Sequence, residues 1–223
     1  MGVEEDALEL LRRLPPRNFM SNIQMLAKLI PDSIEDILGD VELPLKVEMC
    51  PNTKKGFLAC EYNRDSDSYR SPWSNMYVPS LPDGMKPNDH LRELELEANA
   101  VFNAYREAYY EHGSLSSVYF WALEPAPKAQ EAFGCAFVIQ KETEDKQMVW
   151  DSIHVVEVQE TEGRQQHYGT YKMTSTVMLY LAAEDSSVLE VSGSLTRQTQ
   201  LEAEVTKVCP HLVHLGRMVQ EME

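Results

Sequence analysis

The stretch Tyr171-Lys-Met-Thr-Ser-Thr-Val-Met-Leu-Tyr-Leu181 alternates between apolar and polar side chains. One face of an extended chain would carry the apolar residues Tyr171, Met173, Val177, Leu179 and Leu181, and the other the polar residues Lys172, Thr174 and Thr176. The next segment repeats the pattern, with Leu189, Val191 and Leu195 opposite Glu190, Ser192, Ser194 and Thr196. Such alternation is typical of antiparallel strands with one dry and one wetter face.

Three more strand-like segments precede these two, at Ser117 to Leu123, Phe133 to Lys141 and Trp150 to Val158. The first two are apolar on both sides, which predicts that both of their faces are covered. Short polar connections join all five segments, and the connection at 160–164 has hairpin composition. Residues 115–199 are therefore predicted to form a five-stranded antiparallel meander.

The composition is that of a folded, acidic chain whose partner is a protein. Its 223 residues are 43% hydrophobic and 25% charged, with a formal net charge of −16. Clustered Lys and Arg, which nucleic acids and anionic membranes require, are lacking, so neither is an expected partner. No window has the length of apolar sequence that membrane insertion needs. Four dispersed cysteines favour reduced, buried thiols and a cytosolic compartment.

The chain is predicted to be one elongated α+β domain with five regions. Residues 1–40 contain three short helices, separated by proline and glycine breaks, that would pack as a stalk. Residues 41–88 form an extended or loop region with two strand-like pieces. A long helix over 89–112, with Asp89 as its cap, is expected to lie across the sheet of residues 113–200. Residues 201–223 begin a C-terminal helix that we expect to continue beyond Glu223, so the chain looks truncated.

The long helix has an apolar seam that should face the sheet, formed by Leu91, Leu94, Ala98, Val101, Tyr105 and Ala108. The opposite face carries Arg92, Glu93, Glu95, Glu97 and Arg106, which favours a solvated surface over a recognition surface.

The spacing Asn63-x-Asp65-x-Asp67 matches the first three ligands of an EF-hand calcium loop. The sixth and twelfth positions, Ser68 and Ser74, lack the required glycine and bidentate glutamate. We therefore favour an ordered loop whose carboxylates cap turns and pair with nearby arginines over a calcium site.

No catalytic constellation is present in the sequence. His211 and His214 lie at the start of a helix without a carboxylate between or near them, which favours a surface or capping role over a metal site. His154 could act as a base, but a lone histidine in a sheet is more often bonded to the neighbouring strand. The glycine loops of nucleotide sites and the nucleophile elbow of hydrolases are also missing.

Five motifs, in order along the chain, resemble the beta subunit of F-actin capping protein (CapZ). They are Arg12-Arg-Leu-Pro-Pro16, Glu61-Tyr-Asn-Arg-Asp65 with Asp67-Ser-Tyr-Arg-Ser-Pro-Trp-Ser-Asn75, Trp150-Asp-Ser-Ile-His-Val-Val-Glu-Val-Gln159, Thr174-Ser-Thr-Val-Met178 and Gly193-Ser-Leu-Thr-Arg-Gln198. The family fold agrees with the five regions above. The chain departs from the family in an Ala/Pro-containing insertion at 124–131 and in lacking the rest of the last helix and the amphipathic tail.

This resemblance implies a cytoplasmic, cytoskeletal protein that is not an enzyme and uses no cofactor or metal. It would cap the barbed end of actin filaments independently of calcium, as a heterodimer with an alpha subunit whose sheet joins its own. The alternative is a recruitment subunit of a larger assembly such as dynactin. Without the tail, we expect a heterodimer that still forms but caps weakly and dissociates fast.

The resemblance also implies a surface for CARMIL-type regulatory peptides on the stalk and loop regions. The matching positions are Arg13, Glu42 and Tyr77. We predict that Arg13 and Tyr77 anchor such a peptide, because arginine and tyrosine are the residue types that dominate binding hot spots. The alternative for Arg13 is a purely structural contact with a helix C-terminus.

Overall fold

The computed structural model describes residues 25–26, 28–30, 45–110, 113–127, 129–142, 148–162, 167–182 and 189–222. Of the predicted stalk at 1–40, it describes only the helical residues 25–26 and 28–29 and the adjoining Ile30, whose N–H donates to the Leu26 carbonyl at 2.9 Å. Leu26 is buried. The prediction of three separate helices concerns residues that lie almost entirely outside the described part of the chain.

The described elements begin with a hairpin of β1 (Lys46–Met49) and β2 (Gly56–Ala59). A 3₁₀ turn (Glu61–Asn63) leads into a small sheet of β3 (Arg64–Asp65), β4 (Ser68–Arg70) and β5 (Tyr77–Val78). The long helix α1 (Asp89–Tyr109) then precedes the main sheet. That sheet comprises β6 (Ser114–Ala122), β7 (Glu131–Glu142), β8 (Met148–Glu162), β9 (His167–Ala182) and β10 (Leu189–Glu204), and it is followed by α2 (His211–Met222).

The main sheet is the predicted antiparallel meander, with its strands in the order β10-β9-β8-β7-β6. Each strand pairs with its neighbour in sequence, as the short connections predicted. The register sets Val118 of β6 against Phe137 of β7, and Val138 of β7 against Ile153 of β8. Every strand is longer than the segment predicted for it, because the ladder continues beyond that segment at one end or at both.

Both faces of β6 and β7 are covered, as predicted. On one face α1 and α2 pack over a core that includes Phe102, Phe120 and Leu215. On the other face the hairpin of β1 and β2 covers a second core, which includes Leu58 and Tyr119. Cys50, Cys60 and Cys135 are buried free thiols and Cys209 is half-buried.

Helix α1 occupies the predicted place but buries a different stripe. Its cap is Asn88 rather than Asp89, since the Asn88 Oδ1 accepts from the Leu91 N–H at 2.9 Å. Val101, assigned to the apolar seam, is 57% exposed, and the core position beside it is taken by Phe102. Glu95, assigned to the solvated face, is completely buried.

The C-terminal part of the sheet extends further than expected, since β10 continues to Glu204 and α2 begins at His211. Helix α2 packs on the sheet and contacts β10 through His214, whose Nε2 lies 3.1 Å from the Glu204 carbonyl. It does not reach Leu195, which is 53% exposed, so the predicted dry face of this strand is wrong at that position. None of the described helices combines the length and the hydrophobicity that a membrane-spanning helix requires.

The loop region has the two predicted extended pieces, which pair as β1 and β2. The buried Asn63 side chain is used internally, accepting from the Cys60 N–H at 2.8 Å and donating to the Arg70 carbonyl at 2.9 Å. We predicted that the carboxylates of this loop pair with Arg64 and Arg70, and the prediction is wrong about the partners. Arg64 pairs with Glu61 at 3.2 Å, and Arg70 pairs with Glu95 of α1 at 2.6 Å.

Candidate functional site

Strand β10 lies at one edge of the main sheet and pairs along one side only, with β9. Among the described residues, no strand pairs with its other side. Every side chain from 195 to 200 is exposed, on both faces of the strand. An unpaired edge presents a row of backbone N–H and C=O groups that can pair with a strand of another chain. The arrangement suits addition of a partner's strand to this sheet.

The exposed segment Leu195-Thr-Arg-Gln-Thr-Gln200 contains a single charge, on Arg197. It lacks the lysines and prolines with which proteins commonly block pairing at a free edge. Beside it lies an open depression of about 490 Å³. The depression is lined by Val155, Glu157, Lys172, Met173, Thr174, Gln198, Thr199 and Gln200.

The opposite edge of the sheet, β6, is closed by side chains. Asn99 of α1 donates to the Val118 carbonyl at 2.8 Å and accepts from the Val118 N–H at 2.9 Å. Two residues along, Glu95 Oε2 accepts from the Phe120 N–H at 2.8 Å, and Arg70 Nη2 donates to the Phe120 carbonyl at 3.4 Å. The outward backbone groups alternate along the strand, and these side chains bond them in turn.

The carboxylate at this edge is held by two arginines. Arg70 forms a bidentate pair with Glu95, at 2.7 and 2.6 Å, and both side chains are almost fully buried. Arg92 of the same helix contacts Glu95 as well. Nearer the start of β6, Arg106 donates to the Ser114 carbonyl at 2.9 Å. Sequence periodicity did not predict this network, because Arg70 comes from β4 and the other side chains come from α1, and these elements meet only in the folded chain.

The residues predicted to bind a regulatory peptide fall in different situations. Arg13 and Glu42 lie outside the described residues. Tyr77 lies in β5, is 6% exposed, and donates its hydroxyl to the Met85 carbonyl. A Cβ on Gly84 would lie 2.4 Å from the Tyr77 ring, so the two residues are in close contact. Burial raises the pKa of Tyr77, although Arg70 acts in the opposite direction. Tyr77 thus fixes the 79–87 segment against the small sheet.

The histidines at the start of α2 do not have the expected surface role. His211 and His214 are both buried. His211 Nε2 lies 3.1 Å from Glu160 Oε1, and its Nδ1 lies 2.8 Å from the Tyr171 hydroxyl. The expectation was wrong because the carboxylate comes from the end of β8, which no local motif could include. His154, in contrast, is bonded to Ser175 of the adjacent strand at 2.7 Å, as predicted for a sheet histidine.

Glu160 also lies 2.7 Å from His167 Nε2, so one carboxylate contacts two imidazoles. Burial alone would raise the pKa of Glu160, but hydrogen bonds and charge from His211 and His167 outweigh it and hold the pKa below its ordinary value. Among the described residues, this is the cluster whose donor atoms could hold a metal ion.

Comparison with known proteins identifies the family. The family model described as F-actin capping protein, beta subunit, matches residues 4–223. A Drosophila melanogaster protein named F-actin-capping protein subunit beta is 48% identical over 223 residues, covering 97% of this chain and 77% of that protein. The Caenorhabditis elegans protein of the same name is 44% identical over 222 residues, covering 97% and 78%.

The solved structure of homodimeric actin capping protein alpha subunit from Plasmodium berghei is also similar. It aligns with a TM-score of 0.48 and 13% identity, covering 97% of this chain and 87% of that one. The match of the family model over almost the whole chain, together with relatives above 40% identity, places the sequence. This chain belongs to the F-actin capping protein beta subunit family.

Proposed function

We propose that this chain is the beta subunit of a heterodimeric actin capping protein. The heterodimer binds the barbed ends of actin filaments, independently of calcium, and blocks gain and loss of actin subunits there. Family membership supports the capping activity, and the names of the relatives above identify F-actin as what is capped. The role is non-enzymatic and belongs to the cytoplasm and its cytoskeleton.

The observation that carries the heterodimer is the difference between the two edges of the sheet. β6 is closed by side chains of its own chain, whereas β10 pairs on one side only and exposes residues 195–200. We propose that the alpha subunit adds its own sheet to β10, so that the two sheets become one. Pairing at this edge satisfies backbone groups that would otherwise remain in water and covers Leu195.

Barbed-end elongation of seeded actin tests the activity. The chain is co-expressed with an alpha subunit, and the complex is titrated from about nanomolar to about micromolar concentration into growing filaments, with calcium or with a calcium chelator. We expect inhibition of elongation to the same extent in both. Full elongation at micromolar complex would contradict the capping function, and inhibition only with calcium would contradict calcium independence.

Lysine substitutions in β10 test the docking edge separately. Leu195→Lys with Thr199→Lys places two cations on the exposed strand beside Arg197, and we expect binding of the alpha subunit to weaken at least tenfold. The matched control is Val101→Lys with Ala104→Lys, at exposed positions on α1. Val101 is 57% exposed and Leu195 is 53% exposed. Equal loss of binding in both variants would contradict docking at β10 while leaving family membership untouched.

We also propose that a CARMIL-type peptide binds at the surface that contains Arg13, Glu42 and Tyr77. Because the Tyr77 ring is buried, its contribution would come from holding the 79–87 segment in position rather than from direct contact. Arg13→Ala should weaken peptide binding by about 2 kcal/mol. Tyr77→Phe, which keeps the ring and removes the bond to Met85, serves as the second variant. Unchanged affinities in calorimetry for both would contradict this surface.

The second candidate function is recruitment into a larger assembly such as dynactin, with capping of an actin-like filament as a secondary role. The open β10 edge is compatible with it, since the chain would enter such an assembly as the heterodimer, with β10 paired to the alpha subunit. Pull-down of the heterodimer against actin and against dynactin components distinguishes the two. Retention by dynactin components alone would favour recruitment.

A further inference from the structure

Three elements of the sheet and helix layers meet at the cluster Glu160, His167 and His211. Glu160 lies near the end of β8, His167 is the first residue of β9, and His211 is the first residue of α2. The backbone at these positions is held by the ladder and by further bonds. Gln130 N–H donates to the Glu160 carbonyl at 2.8 Å, and Val205 N–H donates to the His167 carbonyl at 2.7 Å.

The donor atoms of the cluster converge on a small volume. Glu160 Oε2 lies 2.7 Å from His167 Nε2, and Glu160 Oε1 lies 3.1 Å from His211 Nε2. One potential ligand atom from each of the three residues lies within 4.8 Å of the other two. Ligands of a tetrahedral zinc ion lie about 3.3 Å from one another, given bonds of about 2.0 Å to nitrogen and oxygen. Small side-chain rotations would therefore bring three ligands to one ion.

We propose that Glu160, His167 and His211 form a binding site for a divalent transition metal ion, with Zn²⁺ as the best match. Two imidazole nitrogens and one carboxylate are ligands that suit zinc, whereas Ca²⁺ and Mg²⁺ require more oxygen ligands than this cluster offers. The fourth position opens to solvent on the side of His167, whose side chain is 39% exposed, while that of His211 is 10% exposed.

A fourth residue orients one of the ligands. The Tyr171 hydroxyl lies 2.8 Å from His211 Nδ1, the ring nitrogen that does not face Glu160. Metal-binding histidines usually bond their second nitrogen to a fixed oxygen, which sets the ring orientation and the tautomer. When a metal ion replaces the proton on His211 Nε2, Nδ1 can donate to the Tyr171 oxygen. The pair thus accommodates the tautomer that metal binding requires.

The site would join the start of α2 to the sheet. Helix α2 contacts the last residue of β10, since His214 Nε2 lies 3.1 Å from the Glu204 carbonyl, so the ion would stabilise the layer next to the exposed strand. The site lies on the helix-covered side of the sheet and is independent of the capping function proposed above. Because the ion binds the folded chain and not the unfolded chain, it stabilises the fold by RT ln(1 + [Zn²⁺]/Kd) and raises the unfolding temperature as the free ion concentration increases.

The test uses the full chain without a polyhistidine tag, in complex with an alpha subunit, after removal of metals with a chelator. Zn²⁺ is titrated by competition with a chromophoric chelator, and Co²⁺ is added separately as a spectroscopic probe. We expect one Zn²⁺ per beta chain that depends on this cluster, visible bands typical of tetrahedral Co²⁺, and an unfolding temperature raised by about 5 °C at saturating Zn²⁺. Ca²⁺ should leave the unfolding temperature unchanged.

Three variants make the result specific. His167→Gln keeps a hydrogen-bonding group at a half-exposed position, so the protein should fold, yet we expect its Zn²⁺ affinity to fall at least about tenfold. His167→Cys supplies another zinc ligand and should retain binding. His90→Gln removes an exposed histidine of α1 and should have no effect. Absence of the cluster-dependent ion, unchanged affinity in His167→Gln, or an equal thermal shift with Ca²⁺ would overturn the proposal.

Discussion

The two edges of the main sheet differ in how their outward backbone N–H and C=O groups are bonded. At β6 the outward backbone groups are bonded by side chains, with Asn99 serving Val118 and Glu95 serving Phe120. At β10, no such side chains are found among the described residues, and the strand from 195 to 200 is exposed. The backbone groups at the β6 edge are thus bonded within the chain, whereas those at β10 are free to pair with a strand of another chain.

The closed edge relies on buried polar groups, and its stability depends on complete pairing. Glu95 is fully buried, and Arg70 is 3% exposed. A buried ion pair contributes little net stability by itself, but removal of one member leaves an uncompensated charge that is costly. At the open edge, the side chains from 195 to 200 are all exposed, so substitutions among them should change association rather than the stability of the subunit.

The largest effect on the closed edge should come from Glu95→Ala. The substitution leaves the buried Arg70 guanidinium without its carboxylate and the Phe120 N–H without an acceptor. We expect a loss of about 3–5 kcal/mol in the free energy of unfolding. Urea unfolding of the heterodimer, compared at one protein concentration, measures it. The control Glu97→Ala, exposed on the same helix, should change stability by less than about 0.5 kcal/mol. Similar values for the two variants would contradict a structural role for the buried pair.

A smaller loss is expected for Asn99→Ala, which removes both bonds to Val118 without burying a new charge. One buried N–H and one buried C=O lose their partners, at about 1–3 kcal/mol for the pair. Amide exchange at Val118 should accelerate more than at β7, because the inner ladder is untouched. If stability and exchange at Val118 were both unchanged, the side-chain closure of this edge would be wrong.

Asp151 is a second buried carboxylate and differs from Glu95 in its partner. The side chain bonded to Asp151 is the neutral Gln140, at 2.8 Å, rather than an arginine. Burial raises the pKa of Asp151 to about 6, although bonds from Gln140 and the Leu45 backbone act in the opposite direction. The folded pKa lies above the unfolded value of about 4, so the cost of ionisation is absent below pH 4, grows between pH 4 and 6, and is complete above pH 6.

Asp151→Asn should therefore stabilise the protein by about 2 kcal/mol at pH 7 and have little effect at pH 4. The magnitude allows for the Leu45 N–H losing one acceptor. Thermal unfolding of both proteins across this pH range measures the difference. Asp67→Asn, at an exposed position, is the control and should show no such trend. A stability difference that did not vary with pH would contradict the raised pKa.

The sequence predicted the meander because alternation and short polar connections are local signals. It also predicted that β6 and β7 are covered on both faces. It failed where contacts join distant segments. Glu95 belongs to a row of charges typical of a solvated helix face, and only the folded chain brings Arg70 to it. The pairing of His211 with Glu160 was missed for the same reason.

The family resemblance implied that this sheet joins another, but the residues of β10 did not identify it as the open edge. The need to pair or cover an edge follows from the sheet itself, but the alternation around Leu195 indicated a dry face that α2 does not reach. Burial of a strand depends on the length and placement of the element above it, which a strand's own periodicity does not encode. For Tyr77, residue type suggested a surface anchor, whereas its ring is packed under Gly84.

Residue-resolved amide hydrogen exchange of the heterodimer tests the central claim, that β10 is the docking edge and β6 is closed. In an antiparallel edge strand, only alternate amides are bonded to the neighbouring strand. If the alpha subunit pairs with β10, every amide from 195 to 200 should be protected, as in β9. If protection in the intact heterodimer instead alternates along β10, with every second amide exchanging at the solvent rate, the edge is free and the account is contradicted.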